Sequence, residues 1–170
     1  MCYLTGYRNP NGEELKFERG EHRRLMRLSS PNHSSIRLEY TPSGSISQIT
    51  DSTGRVVRYS YDDKNRLIGV AYPSGESCHY EYDDAQHLLA FSVAHSLNDR
   101  PTTLMRNEYA DGLLVKQTIA GSVYSYDYKQ AGNHMITGAT VHSADDKVFK
   151  LDITERNAIV HEQPDRMITK

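Results

Sequence analysis

Residues 59–83, YSYDDKNRLIGVAYPSGESCHYEYD, contain two copies of one short pattern. The Tyr-x-Tyr-Asp at residues 59–62 recurs at residues 80–83, twenty-one positions later. Tyr40 lies twenty-one positions before Tyr61 and corresponds to it. Three columns of this repeat are apolar or aromatic: Leu38, Tyr59 and Tyr80; Ile46, Leu67 and Leu88; Ile49, Val70 and Phe91, with Phe17, Leu25 and Leu28 one unit earlier. A fixed period of this length indicates a chain built by stacking one supersecondary unit.

Each unit predicts two strands and two turns. Residues 55–61 are rich in β-branched and aromatic side chains and end at the polar group 62–65, which suits a tight turn. A second strand-like run, 66–72, ends at Pro73, Ser74 and Gly75. Strands spaced at roughly ten residues are typical of an antiparallel meander. The predicted fold class is therefore all-β, with tandem repeats forming an open, twisted or spiralling sheet.

Alternation along the first strand places Val57, Tyr59 and Tyr61 on one face of the sheet. In the second strand Leu67 and Val70 are three positions apart, so a period of two cannot place both on that face. Either a β-bulge redirects one of them or the sheet is covered on both sides. The sequence leaves both alternatives open.

The predicted organisation is one β domain over residues 1–161. It has regular repeats over about 7–93, an inserted loop over about 94–107, divergent repeats over about 108–161 and a frayed tail at 162–170. Asn98 to Pro101 supply the loop signal. A decayed last copy is predicted around Phe149, Leu151 and Arg156.

Charge and hydropathy exclude several classes of protein. Lys and Arg total 20 against 22 Asp and Glu, a formal charge of −2, which predicts no general attraction to nucleic acid. No apolar run reaches the roughly 18 residues of a membrane span, and residues 1–10 lack the pattern of a secretory signal. One basic cluster stands out: His22, Arg23, Arg24 and Arg27. We interpret it as a solvated turn and strand edge, with a polyanion patch as the alternative.

Catalytic, cofactor and metal sites are not predicted. The acid pairs 62–63, 83–84 and 145–146 recur in turns, where Asp caps backbone amides; a glycosidase pair and calcium ligands are the alternatives. The eight histidines have no metal-ligand spacing, and Cys2 and Cys78 form neither a disulfide framework nor a metal site. We therefore predict a protein that is not an enzyme.

The tyrosines supply the one candidate ligand surface. Tyr59, Tyr61, Tyr80 and Tyr82 could form a rack of rings for carbohydrate, since each ring offers an apolar face and a hydroxyl. Rows of aromatic residues also stabilise sheets through cross-strand pairs. The structural interpretation is favoured.

The pattern Tyr-x-Tyr-Asp at 59–62, Arg66-Leu67, and Tyr-x-Tyr-Asp again at 80–83 resembles the YD repeat of bacterial Rhs (rearrangement hotspot) proteins, which are related to teneurins. The resemblance is good over residues 31–89. Three positions depart from it: Asn65 and Gln86 replace the turn glycine, and Thr41 replaces the aspartate. Because glutamine adopts the left-handed backbone poorly, we expect the turn at Gln86 to take another conformation.

The resemblance implies a strip of the β-sheet that, in long and often toxin-related members, spirals into a hollow shell around a cargo. This chain would then be a shell segment, a remnant or a small relative. Its implied partner is a polypeptide or the remainder of a longer Rhs-type chain, with carbohydrate or self-association through sheet edges as alternatives. The implied location is the bacterial cytoplasm before export, or the cell exterior. No Asp-Pro pair is present, so we carry over no self-cleaving role.

Overall fold

The computed structural model describes residues 4–132, 135–153 and 158–163, with the backbone alone at 153 and 158–163. These residues form fifteen strands of one antiparallel sheet, in which each strand lies beside its chain neighbours. The predicted all-β meander is confirmed. The strands are β1 Gly6–Arg8, β2 Glu14–Arg19, β3 Leu25–Ser29, β4 Ser35–Tyr40, β5 Ile46–Asp51, β6 Val56–Tyr61, β7 Leu67–Ala71, β8 Ser77–Tyr82, β9 Leu88–Ala94, β10 Thr102–Ala110, β11 Leu113–Ile119, β12 Ser122–Gln130, β13 Ile136–His142, β14 Val148–Ile153 and β15 Ala158–Gln163.

Contacts divide the strands into two compact units. The first contains residues 4–79 and 93–101, and the second contains 80–92 and the described part of 102–170. That residues 1–161 form one domain stays a prediction.

Pairing register separates apolar from polar residues in the first unit. Tyr59 lies opposite Val70 and Leu38 opposite Ile49, which places all four on one face. We call this the tyrosine face; its members include Tyr7, Leu15, Phe17, Leu28, Ile36, Leu38, Tyr40, Ile46, Ile49, Val57, Tyr59, Tyr61, Leu67 and Val70. The opposite or polar face includes Lys16, Glu18, Arg27, Ser29, Ser35, Arg37, Glu39, Gln48, Thr50, Arg58, Ser60 and Gly69. Along these strands, side chains therefore alternate between the tyrosine face and the polar face.

The second unit has the same separation. Tyr128 lies opposite Ala139, and Ala139 lies opposite Leu151, so these three form an apolar row across β12, β13 and β14. The alternate row is polar, with Glu108 opposite Lys116 on β10 and β11.

A β-bulge, rather than a sheet covered on both sides, explains the spacing of Leu67 and Val70. Tyr61 pairs with Leu67, whereas Ser60 pairs with Gly69, so Ile68 is an extra residue in β7. The bulge therefore returns Leu67 and Val70 to the tyrosine face. Register shifts at the corresponding places recur between residues 18/19, 39/40, 108/109 and 129/130.

Few side chains are fully covered. The buried apolar residues among those described are Leu38, Val70, Ala90 and Ala94. On the tyrosine face, Tyr7 remains 54% exposed and Ile36 43%. Strand pairing alone thus leaves much of this apolar face accessible.

The predicted inserted loop at 94–107 is wrong in its extent. β9 continues to Ala94 and β10 begins at Thr102, so only residues 95–101 connect them. Thr102 and Thr103 begin a run that alternates between the two faces, and this period continues the sheet. The predicted tail, 162–170, begins within β15, while residues 164–170 and Arg156 lie outside the described residues.

Candidate functional surface

Aspartates cap the four-residue turns, as the sequence predicts. Asp62 accepts hydrogen bonds at Oδ1 from the backbone N–H groups of Lys64 (3.0 Å) and Arg66 (2.8 Å), and at Oδ2 from Arg66 Nε (2.7 Å). Asp83 accepts from the His87 backbone N–H and pairs with His87 Nδ1, both at 2.8 Å. These carboxylates are thus bound within their own turns. Asp145 differs, because it forms an ion pair with Lys147 at 2.8 Å.

The turn hydrogen bonds also affect ionisation. The hydrogen bond from the Arg66 backbone amide lowers the pKa of Asp62, and the Arg66 side chain lowers it further. Burial raises this pKa, but the net pKa stays below its usual range. For Asp83, burial raises the pKa, but the hydrogen bonds from His87 outweigh it and the net pKa is lowered. The lowered folded-state pKa means that the unfolded chain binds protons more readily than the folded one.

We therefore expect the urea midpoint of unfolding to fall as the pH drops below about 4, the ordinary carboxyl pKa, and through the lowered folded value. Asp62→Asn should be less stable than wild type at pH 7, and the difference between the two midpoints should shrink as the pH falls below about 4. Asp63→Asn is the matched control, since Asp63 is an exposed neighbour in the same turn, and its midpoint should follow wild type. A constant gap between wild type and D62N from pH 7 to pH 2 would contradict the capping account.

The expected change of conformation at Gln86 is wrong. Gln86 has φ +74°, in the same left-handed region as Asn65 at +60°. Both turns contain the same backbone hydrogen bond, from Asn65 N–H to Asp62 O in one turn and from Gln86 N–H to Asp83 O in the other. The Asp83–His87 contacts hold the ends of the turn, so the turn keeps its geometry and the glutamine adopts the disfavoured φ.

Gln86→Gly should therefore raise the free energy of unfolding by about 1 kcal/mol, because glycine adopts positive φ without steric conflict. Thermal unfolding followed by circular dichroism measures the effect. Ala85→Gly, next to it in the same turn and without positive φ, gives the control and should not stabilise. Equal or lower stability of the Q86G variant would contradict the strained turn.

Tyrosine hydroxyls bind the backbone at the bulges. Tyr61 Oη donates to the carbonyl oxygen of Ile46 at 2.8 Å, and Tyr40 Oη donates to that of Leu25 at 2.7 Å. Tyr128 makes the same bond to Leu114, at 2.8 Å. Each acceptor residue lies at a register shift, where the ladder is interrupted. We call this contact the tyrosine clamp; it satisfies a backbone group at the bulge.

The four candidate ligand residues are all half-buried. Tyr59 and Tyr61 lie on β6 in the first unit, and Tyr80 and Tyr82 on β8 in the second. Tyr61 is a clamp residue, and burial, followed by the neighbouring Tyr59, raises the pKa of its phenol. The Tyr80 ring packs on Phe91 with centroids 5.3 Å apart. These contacts support the structural role of the tyrosines, and no contact favours carbohydrate over it.

The second unit contains a polar network that the sequence pattern does not predict. Buried Asn107 donates from Nδ2 to the Leu88 carbonyl at 2.9 Å, and its Oδ1 accepts from Gln117 Nε2 at 2.9 Å. Tyr126 Oη then donates to Gln117 Oε1 at 3.2 Å. In these divergent repeats, Asn107 and Gln117 stand where the regular repeats carry apolar residues. Only the cross-strand register, which brings Asn107 opposite Gln117, reveals it.

Neither a metal cluster nor a membrane-spanning helix occurs in the described part of the chain. No three ligating side chains approach one another there closely enough to hold an ion. Among the same residues, no helix is of the length and apolarity needed to cross a bilayer.

Residues 40–77 match the family model of the RHS repeat. This segment is an RHS repeat. It contains two tyrosine clamps, Tyr40 and Tyr61, and the capped turns of Asp51 and Asp62, so the features that recur in the structure coincide with the RHS repeat itself. A comparison of the sequence with curated proteins found no match.

Solved structures share the fold of this chain. A crystal structure of TcdB2-TccC3-TEV superposes with a TM-score of 0.62 at 11% identity, covering 91% of this chain and 9% of that one. A crystal structure of TcdB2-TccC3 gives 0.58 at 12% identity, covering 92% of this chain and 11% of that one. The chain thus spans about a tenth of the length of the chains it matches.

Proposed function

We propose that this chain is a non-enzymatic wall segment of a longer RHS-repeat protein, and that its tyrosine face lies against an enclosed or presented polypeptide. The observation that carries the proposal is the separation of the two faces. Ile36 and Leu15 lie on the tyrosine face and remain 43% and 39% exposed after the strands have paired. An apolar face of this extent is stabilised by a covering layer.

A structural role for the polar groups supports the same proposal. The Asp62 carboxylate is bound within its turn, and the Tyr61 hydroxyl is bound to a bulge carbonyl. These are the groups a catalytic or sugar-binding site would use, and they instead stabilise the repeat. The match to chains about ten times longer supports a segment within a larger wall.

A permanently unfolded polypeptide, reduced and carboxymethylated α-lactalbumin, tests the proposal when its binding is followed by fluorescence anisotropy. Ile36→Lys places a charge on the tyrosine face and should weaken binding about tenfold or more, because an unpaired ammonium group resists burial. Gln48→Lys places the same charge on the polar face of the adjacent strand and should bind as wild type does. Circular dichroism verifies that both variants fold.

Equal weakening by the two lysines, or no binding by wild type, would contradict the proposal. Size-exclusion chromatography over a concentration series distinguishes coverage of the face by a second copy, which would appear as a concentration-dependent dimer.

A further inference from the structure

Two arginines face each other on the polar face of the first unit. Arg27 on β3 is the register partner of Arg37 on β4, so their Cβ atoms lie on the same face of an antiparallel pair, about 5 Å apart. Like charges directly opposite each other destabilise a sheet. The sequence groups Arg27 with His22, Arg23 and Arg24 instead, because the register is not visible there.

No carboxylate of the described residues forms an ion pair with either guanidinium. Arg27 Nη2 donates to Ser35 Oγ at 3.4 Å. The nearby Asp51 carboxylate is bound to Arg55 Nε at 2.6 Å and to Thr53. The Glu39 carboxylate accepts from Gln48 Nε2 at 3.3 Å. Glu18 lies opposite Arg27 and Glu39 lies two positions from Arg37 on the same face, but among the described residues neither carboxylate forms an ion pair with the two guanidinium groups.

The pair borders a surface cavity of about 680 Å³. Its lining includes Ser29, Ser35, Thr50 and His33, and also Asp51, whose carboxylate is bound to Arg55 and Thr53. Ser29 and Ser35 are themselves register partners, and Arg37 lies opposite Thr50, so hydroxyl donors flank the guanidinium groups on two sides. Guanidinium and hydroxyl donors around one concavity are the groups that bind a tetrahedral oxyanion, which the planar guanidinium fork can contact with two parallel hydrogen bonds.

We propose that Arg27 and Arg37, with the serine and threonine hydroxyls beside them, bind a phosphate group, either as free phosphate or as a small phosphate monoester. This site is independent of the proposed wall function, because it lies on the face opposite the tyrosines. An isolated arginine pair flanked by Glu18 and Glu39 suits one compact anion better than a long polyanion.

The test measures the Kd by calorimetry and the melting temperature by circular dichroism, with inorganic phosphate titrated at ionic strength held constant by chloride. Wild type should show saturable binding, and its Tm should rise by about 5 °C at a hundredfold excess over Kd. Arg37→Gln should weaken binding about tenfold or more. Without phosphate, the R37Q variant should melt at or above the wild-type Tm, because the like-charge pair is relieved.

Arg58→Gln is the matched control: Arg58 is an exposed arginine of the same face that does not border this cavity, so its Kd should equal that of wild type. Phenyl phosphate distinguishes the two sources, since comparable binding of it indicates a monoester and its exclusion indicates the free ion. A Tm that rises no more with phosphate than with chloride, or a Kd unchanged in R37Q, would overturn the site.

Discussion

Tyr61→Ala is expected to lower the free energy of unfolding by about 3 kcal/mol, the lower end of the range for removing a packed aromatic ring. The ring is half-buried on the tyrosine face, and the hydroxyl closes the clamp on Ile46. The variant loses both the ring contacts and the hydrogen bond, which leaves the bulge carbonyl without its partner. Urea unfolding followed by circular dichroism gives the measurement.

Two phenylalanine variants separate the ring from the hydroxyl. Tyr61→Phe should lose about 1 kcal/mol, the net value of one hydrogen bond. Tyr59→Phe, two positions away on the same strand and face, should change stability by less than about 0.5 kcal/mol, since no clamp bond is made there. A loss of only a few tenths of a kcal/mol in Y61A would mean that the ring does not pack, and would favour an open binding surface.

Gly138→Ala is expected to lower the free energy of unfolding by about 2 kcal/mol. Gly138 is buried on β13, and a Cβ atom there would lie 2.9 Å from the Leu151 carbonyl oxygen of the neighbouring strand. Backbone cannot move aside as a flexible side chain can, so β13 and β14 must separate locally. This strain outweighs the gain of up to about 1 kcal/mol that alanine brings by restricting the unfolded chain.

Gly132→Ala measures separately the stabilisation that alanine brings by restricting the unfolded chain. Gly132 has nothing within 4 Å of its would-be Cβ, so the substitution should be neutral or slightly stabilising. Thermal unfolding of the two variants compares them directly. If the two alanines had the same effect, the close approach of β14 at Gly138 would be disproved.

The repeat is predictable from the sequence because the copies at residues 59–62 and 80–83 carry the same signals. The Tyr-x-Tyr-Asp spacing located the strands, the acidic turns indicated the caps, and the alternation at Val57, Tyr59 and Tyr61 identified the apolar face. Leu67 and Val70 could not be placed from the pattern alone, because a bulge and a doubly covered sheet predict the same spacing.

The remaining errors arise from context beyond the repeat. Left-handed propensity was misleading at Gln86, where the Asp83 contacts fix the turn despite the residue. The arginine pair and the Asn107–Gln117 hydrogen bond depend on which residues lie opposite each other, and register is a property of the folded sheet.

The most direct measurement of the central claim, that repeats pair in a register keeping the apolar columns on one face, is the set of cross-strand nuclear Overhauser contacts between backbone protons. We expect the contacts to pair Ile49 with Val57 and Tyr59 with Val70. A contact pattern that pairs Ile49 with Arg58 instead of Val57 throughout the two strands would contradict this register, because a slip of one residue moves the tyrosines of the shifted strand to the other face.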